Sequence, residues 1–178
     1  MSMRQQPTTR SALARRDQQQ RQQDKIALAH RHAELVQSMR QLRQLMNRLE
    51  LAGTDPHSRR LAAAIVDQMD ELLPDILARE SRAVLSGLGQ AADTWTQQAA
   101  AQLRADQGWI STNWYELRPR LDGIARDQSW VDLDLLRDAA ELFCSLQREH
   151  VSLATTLLER DVRHAAAEAE PDTIASPH

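Results

Sequence analysis

Three polar side chains interrupt the apolar stripes of this sequence at spacings that would bring them into a helical core. His32, Gln107 and His150 each stand where an apolar residue is expected, three or four positions from Leu, Ile or other apolar residues on either side. A buried polar group without a partner costs about 1–3 kcal/mol, so each must meet a hydrogen bond or a metal ion. Inward-facing imidazoles and carboxylates are also the groups with which helical bundles bind metals. The spacing therefore predicts either a buried hydrogen-bond network or a metal site.

Four amphipathic segments would position these residues. The apolar spacing predicts helices over about 24–51, from Asp55 to about residue 88, over about 93–125, and from a capping box at Ser129 and Asp132 onward. Because the three connections are short, consecutive helices are expected to lie antiparallel. The predicted fold is all-α: an up-down-up-down antiparallel four-helix bundle.

The stripe of each segment is predicted to form the core, and two prolines, Pro74 and Pro119, are predicted to kink the second and third helices. Cys144 is predicted to be a buried small hydrophobe, and Trp109 to be partly exposed and to mark a partner surface. The predicted core positions are Leu28, His32, Leu35, Met39, Leu42, Met46 and Leu49; Val66, Met69, Leu73, Leu77, Val84 and Leu88; Leu103, Gln107, Ile110, Trp114, Leu117, Leu121 and Ile124; and Leu135, Ala139, Leu142, Leu146, His150, Leu153 and Leu157.

Composition narrows the class of protein. Among 178 residues only 3% are aromatic and five are glycine, which favours helices over a β-sandwich or barrel. The single cysteine removes any disulfide framework. There is no secretory apolar region and no run approaching the roughly 20 apolar residues of a membrane span. We therefore expect a cytoplasmic protein without membrane insertion.

The two ends of the chain differ in composition from its centre. Residues 1–24 are rich in Gln and Arg and are predicted to be an N-terminal tail or helical extension, while residues 165–178 are predicted to be an acidic C-terminal tail. The bundle itself is assigned to residues 25–164. An arginine-rich arm raises the possibility of nucleic-acid binding, but the arm has no aromatic side chain to stack on bases, so this function ranks last.

Four stretches, one on each predicted helix, resemble the bacterial hemerythrin-like, or HHE cation-binding, family over most of residues 25–162. They are HRHAELVQSMRQLRQLMNRL, DELLPDILARESRAVL, LRADQGWISTNWYELRPRL and LFCSLQREHVSLATTLL. The resemblance implies a four-helix bundle whose inward histidines and carboxylates hold two irons.

The resemblance also assigns ligand positions, and most of them carry other residues here. His32 and His150 remain at two of these positions. Glu80 lies next to the second-helix pair and would face inward only after a local adjustment of the helix. The positions that have lost their ligand are Leu77 and Ser81 on the second helix, Gln107 on the third and Ala154 on the fourth.

These replacements predict a non-enzymatic hemerythrin-like bundle with a degenerate diiron site and no cofactor. Such a bundle would bind an unidentified protein partner or small effector, or would serve a structural role. The alternative is one iron or zinc ion held by His32, His150 and Glu80, with Gln107 supporting the ligands from outside. No nucleophile–base–acid set and no glycine-rich phosphate loop accompanies either interpretation.

Overall fold

The computed structural model describes residues 9–85 and 93–169, and every regular element in them is a helix. Helix α1 spans Thr9–Ala52, α2 spans Pro56–Glu80, α3 spans Thr94–Ala125 and α4 spans Leu133–Ala169. A π-helix, Ser81–Leu85, continues directly from α2. Each helix packs against its neighbours, α1 on α2, α2 on α3, α3 on α4 and α4 on α1, so the four enclose one core. The prediction of an all-α protein with four packed helices is confirmed for these residues.

Local sequence explains the boundary between α1 and α2. Gly53 ends α1: its N–H donates to the carbonyl of Leu49, and its φ is 64°. Glycine adopts this left-handed conformation without strain because it has no Cβ. Asp55 then caps α2 by accepting from the N–H of Ser58 at 2.7 Å, and Pro56 occupies the first helical position.

Asp93 and Asp132 cap the other two helices. The Asp93 carboxylate accepts from the N–H of Thr96 at 3.0 Å at the start of α3. The Asp132 carboxylate accepts from the first N–H groups of α4, those of residues 134 and 135. The predicted capping box is therefore wrong, because α4 begins after Asp132 itself and Ser129 lies outside it. The predicted end of the second helix, near residue 88, lies outside the described residues.

Within the described residues, helix extends beyond both ends of the predicted bundle of residues 25–164. Helix α1 begins at Thr9, within the predicted N-terminal segment 1–24, and α4 ends at Ala169, within the predicted tail 165–178. In the described part of the chain no helix is long and apolar enough to cross a membrane.

The predicted stripes of α1 and α3 are the observed core faces. All seven predicted positions of α1 are buried, and six of the seven on α3, the exception being the half-buried Gln107. The register of both helices is therefore the predicted one. Pro119 lies in the interior of α3, and Pro74 lies in the interior of α2.

The core stripe of helix α4 shares only His150 and Leu157 with the predicted one. Leu135 and Leu142 are 54% and 52% exposed, so their prediction as core residues is wrong. The helix buries Phe143, whose ring lies 5.7 Å from the Trp114 ring of α3. The buried stripe consists of Leu136, Ala140, Phe143, Gln147, His150, Ala154 and Leu157.

Two glycines of α3 allow a matched test of how closely the segment before α4 packs against this helix. A Cβ at Gly108 would meet no described atom within 4 Å, so Gly108→Ala should raise the free energy of unfolding by about 0.5–1 kcal/mol. A Cβ at Gly123 would lie 2.5 Å from Cγ2 of Val131 and 3.0 Å from the Trp130 ring. Gly123→Ala should therefore lower it by roughly 1–3 kcal/mol. Urea unfolding measures both, and equal effects of the two variants would contradict the close approach at Gly123.

Candidate functional site

A buried carboxylate at the end of α2 joins the polar residues of the core. The side chain of Glu80 is fully buried, and its Oε1 lies 3.0 Å from Nε2 of His32 on α1. Its Oε2 lies 2.8 Å from Nε2 of His150 on α4 and accepts from the Gln107 amide of α3 at 3.0 Å. One carboxylate thus connects α2 to all three other helices. The structure brings together all four of the predicted site residues.

The core stripe of α2 follows the predicted positions as far as Leu73, all of which are buried. It then continues through Ile76 and Glu80, which are almost completely buried, whereas Leu77 is only partly buried and Ser81 is exposed. The prediction of Leu77 as a core position is therefore wrong. Glu80 continues the regular stripe of α2, and the local irregularity follows it as the π-helix that starts at Ser81.

The Glu80 carboxylate is ionised in this setting. Burial by itself raises the pKa of Glu80, but the hydrogen bonds from His150 and His32 outweigh burial and lower the pKa to about 2. An ionised carboxylate can only accept hydrogen bonds. Both imidazoles must then carry a proton on Nε2, and these atoms serve as donors to Glu80.

Unused hydrogen-bonding capacity remains beside this network. Nδ1 of His150 is buried without a hydrogen-bond partner in the described residues, and Oδ2 of Asp106 lies 3.9 Å from it, too far for a hydrogen bond. The Gln147 amide nitrogen and the Ser38 hydroxyl are also buried, and neither has a hydrogen-bond partner in the part of the chain that the structure describes. The core therefore holds more polar atoms than its own hydrogen bonds satisfy.

Asp106 and Gln147 also belong to this polar region, and neither is among the residues predicted for the site. The sequence contains a signal for Gln147, because this residue stands three positions before His150 and seven before Ala154, in a stripe with alternating spacings of four and three. Asp106 gives no such signal, because it flanks the predicted stripe of α3 and only the packing of α4 brings it near His150.

The donor set does not fit the two irons that the resemblance implies. The inward positions of α2 and α4 that would supply further ligands hold Ile76 and Ala154, and α3 supplies the amide of Gln107. Neither a methyl nor an sec-butyl group coordinates a metal. Within the described residues, no group of three or more His, Cys, Asp or Glu side chains is arranged to hold a metal ion.

Two further predictions concern residues outside the network. Cys144 is buried, as predicted, and burial raises the pKa of its thiol, so the reactive thiolate is disfavoured. Trp109 is 63% exposed, as predicted. On the surface of α1, Nε2 of His30 lies 3.2 Å from Oε1 of Glu34, one helical turn away.

Comparisons with known proteins give no relative: no protein family, no curated protein and no solved structure matches this chain.

Proposed function

We propose that this chain is a hemerythrin-like bundle of up-down-up-down topology in which a hydrogen-bond network has replaced the two irons. In this proposal the protein is cytoplasmic and not an enzyme, and it serves as a binding, regulatory or structural domain. One observation carries the proposal: a single buried carboxylate, that of Glu80, engages Nε2 of both His32 and His150.

The antiparallel topology is supported by the order of the bonds between helices. Along each pair of consecutive helices, the residue number on one helix falls as the number on its neighbour rises. The pairs are Arg48 with Asp55 and Arg31 with Asp75, Arg59 with Asp127 and Glu80 with Gln107, and Trp114 with Phe143 and Asp93 with Arg160.

The network also explains how the bundle keeps its histidines without metal. Two unpartnered imidazoles in an apolar core would each lose their hydration without compensation. Glu80 supplies charge-assisted acceptors for both of them, and the Gln107 amide donates a second hydrogen bond to Oε2. The same replacement of ligands removes the positions that two irons require.

Iron analysis of the full-length protein tests this proposal. Protein purified from iron-supplemented cells should contain far less than one iron per chain and show no oxo-bridge absorption band. Two irons per chain with that band would contradict the proposal.

A second candidate is the binding of one divalent ion by His32, Glu80 and His150. One observation favours it: Oδ2 of Asp106 lies 3.9 Å from the outer nitrogen of His150. The 2.8 and 3.0 Å distances at Glu80 are those of hydrogen bonds, so the three side chains would have to move apart to bind an ion. A carboxylate near the outer nitrogen commonly orients a metal-binding histidine.

Added zinc distinguishes this candidate from the first. If the ion binds, zinc at 100 times its dissociation constant should stabilise the metal-free protein by about 2.7 kcal/mol, seen as a higher Tm. The variant His32→Ala/His150→Ala should lose this response, while His30→Ala, at an exposed position of the same helix, should keep it. An equal response of all three proteins, or none in the wild type, would reject metal binding at this site.

A further inference from the structure

An open groove lies between the first turn of α3 and helix α4. Its apolar lining consists of Trp95 on α3 and Leu153 on α4. Its polar lining belongs to α4 and consists of Ser145, Arg148, Glu149, Ser152 and Thr156. We call this space the Trp95 groove. Its volume is about 570 Å³, which lies within the range of roughly 300–1,000 Å³ found for small-ligand sites.

Trp95 supplies the aromatic surface of the groove. The Arg160 guanidinium lies 4.4 Å from the centre of the Trp95 ring and donates to Asp93 at 3.1 Å, so a cation–π contact holds the ring on one face. Arg160 does not line the groove, and the ring remains 41% exposed. The ring surface away from Arg160 therefore faces the groove. Leu153 adds less apolar surface, because it packs against the core.

The hydroxyl groups of the groove are mainly hydrogen-bond acceptors. Oγ of Ser145 donates its hydrogen to Glu149 at 3.3 Å, and Oγ1 of Thr156 donates its hydrogen to the carbonyl of Ser152 at 2.9 Å. A hydroxyl that donates its only hydrogen keeps its lone pairs, so both oxygens can accept from a ligand. The groove therefore matches a ligand that carries several hydrogen-bond donors.

The groove contains one side chain of each charge. Arg148 donates through Nε to the carbonyl of Cys144 at 3.2 Å, and this bond leaves the positive charge of the guanidinium in place. Glu149 follows Arg148 in the chain and lines the same groove with a carboxylate. A ligand with a net charge of either sign would meet one like charge there. The lining therefore favours a ligand without net charge.

We propose that the Trp95 groove binds a neutral sugar ring. A pyranose combines an apolar face of C–H groups with a rim of hydroxyls. The C–H face would pack on the Trp95 ring, and the hydroxyls would donate to the serine and threonine oxygens and to Glu149 and accept from Arg148. No side chain of the network around Glu80 lines the groove, so the proposal is independent of the function proposed for that network.

Saturation-transfer NMR on the full-length chain tests the proposal. The probes are the methyl glycosides of glucose, galactose, mannose and N-acetylglucosamine. Sorbitol, which has the hydroxyls without the ring, and inorganic phosphate are the controls. At least one glycoside should receive saturation from the protein, most strongly at the protons of its C–H face, and sorbitol should receive none. No transfer to any of the glycosides, or equal transfer to sorbitol, would overturn the proposal. Phosphate that displaces the glycoside completely would also overturn it, because the groove would then be an anion site.

Variants of the chain then locate the bound sugar. Trp95→Ala should weaken binding at least about tenfold, and Glu149→Gln, which keeps the size of the side chain, should also weaken it. Trp109→Ala is the matched control, because Trp109 is a 63% exposed tryptophan of the same helix that does not line the groove, and this variant should bind as the wild type does. Unchanged binding by both Trp95→Ala and Glu149→Gln, or an equal loss in Trp109→Ala, would contradict the assignment to this groove.

Discussion

Replacing Glu80 with Ala should lower the free energy of unfolding by about 3–5 kcal/mol, the range expected when one partner of a buried charged network is removed. The change leaves the two imidazole donors and the Gln107 amide without an acceptor inside the core, and it also removes a packed side chain. Urea unfolding followed by circular dichroism measures the loss.

Glu71→Ala is the matched control for this prediction. Glu71 lies on the same helix and its side chain is 77% exposed, with only a 3.6 Å ion pair to Arg31. Its removal should change stability by less than about 0.5 kcal/mol. A loss below about 1 kcal/mol in Glu80→Ala would show that the network contributes little, and a similar loss in both variants would show that the loss does not come from the network.

The second large effect is a dependence of stability on acid. Because the pKa of Glu80 falls from its usual 4.5 to about 2 on folding, the carboxylate stabilises the folded state fully above pH 4.5 and loses this contribution as the pH falls toward 2. A difference of this size corresponds to roughly 3 kcal/mol. Glu80→Gln cannot ionise, so the advantage of the wild type over this variant should shrink over that range.

Urea unfolding of both proteins at pH 7, 4.5 and 2.5 measures this difference. Other carboxyls whose pKa is lowered, such as Asp55 beside Arg48 and Asp75 beside Arg79, titrate in both proteins and cancel in the comparison. An advantage that stays constant down to pH 2.5 would contradict the assignment of the acid dependence to Glu80.

The sequence predicted the core faces correctly where a helix has only one candidate stripe. On α1 and α3 a single row of apolar residues is available, and its members are buried. Helix α4 has two, and in the row richer in leucine Leu135 and Leu142 are exposed while Phe143 of the other row is buried. Phe143 packs beside Trp114 of another helix, and local periodicity carries no sign of such a contact.

The same limit applies to the site. His32, Gln107 and His150 were recognised because each is a polar residue within an apolar stripe. The sequence predicts Glu80 beside the stripe rather than in it. After Leu73 a helical stripe can continue through either Ile76 or Leu77, and a stripe through Leu77 leaves the Glu80 carboxylate outside the core. A fully buried glutamate is stable only when hydrogen-bond donors surround its carboxylate. Its burial can therefore be predicted only once these donors are identified, and they lie on three different helices.

Nitrogen NMR of the imidazole rings before and after addition of ferrous iron tests the central claim most directly, because it observes Nε2 of His32 and His150 themselves. If Glu80 holds both rings in a network that has replaced the irons, each Nε2 carries a proton that donates to the carboxylate, and the signals stay unchanged when iron is added. If both rings lose the Nε2 proton and their signals shift or broaden with iron, the rings are metal ligands and the account is contradicted.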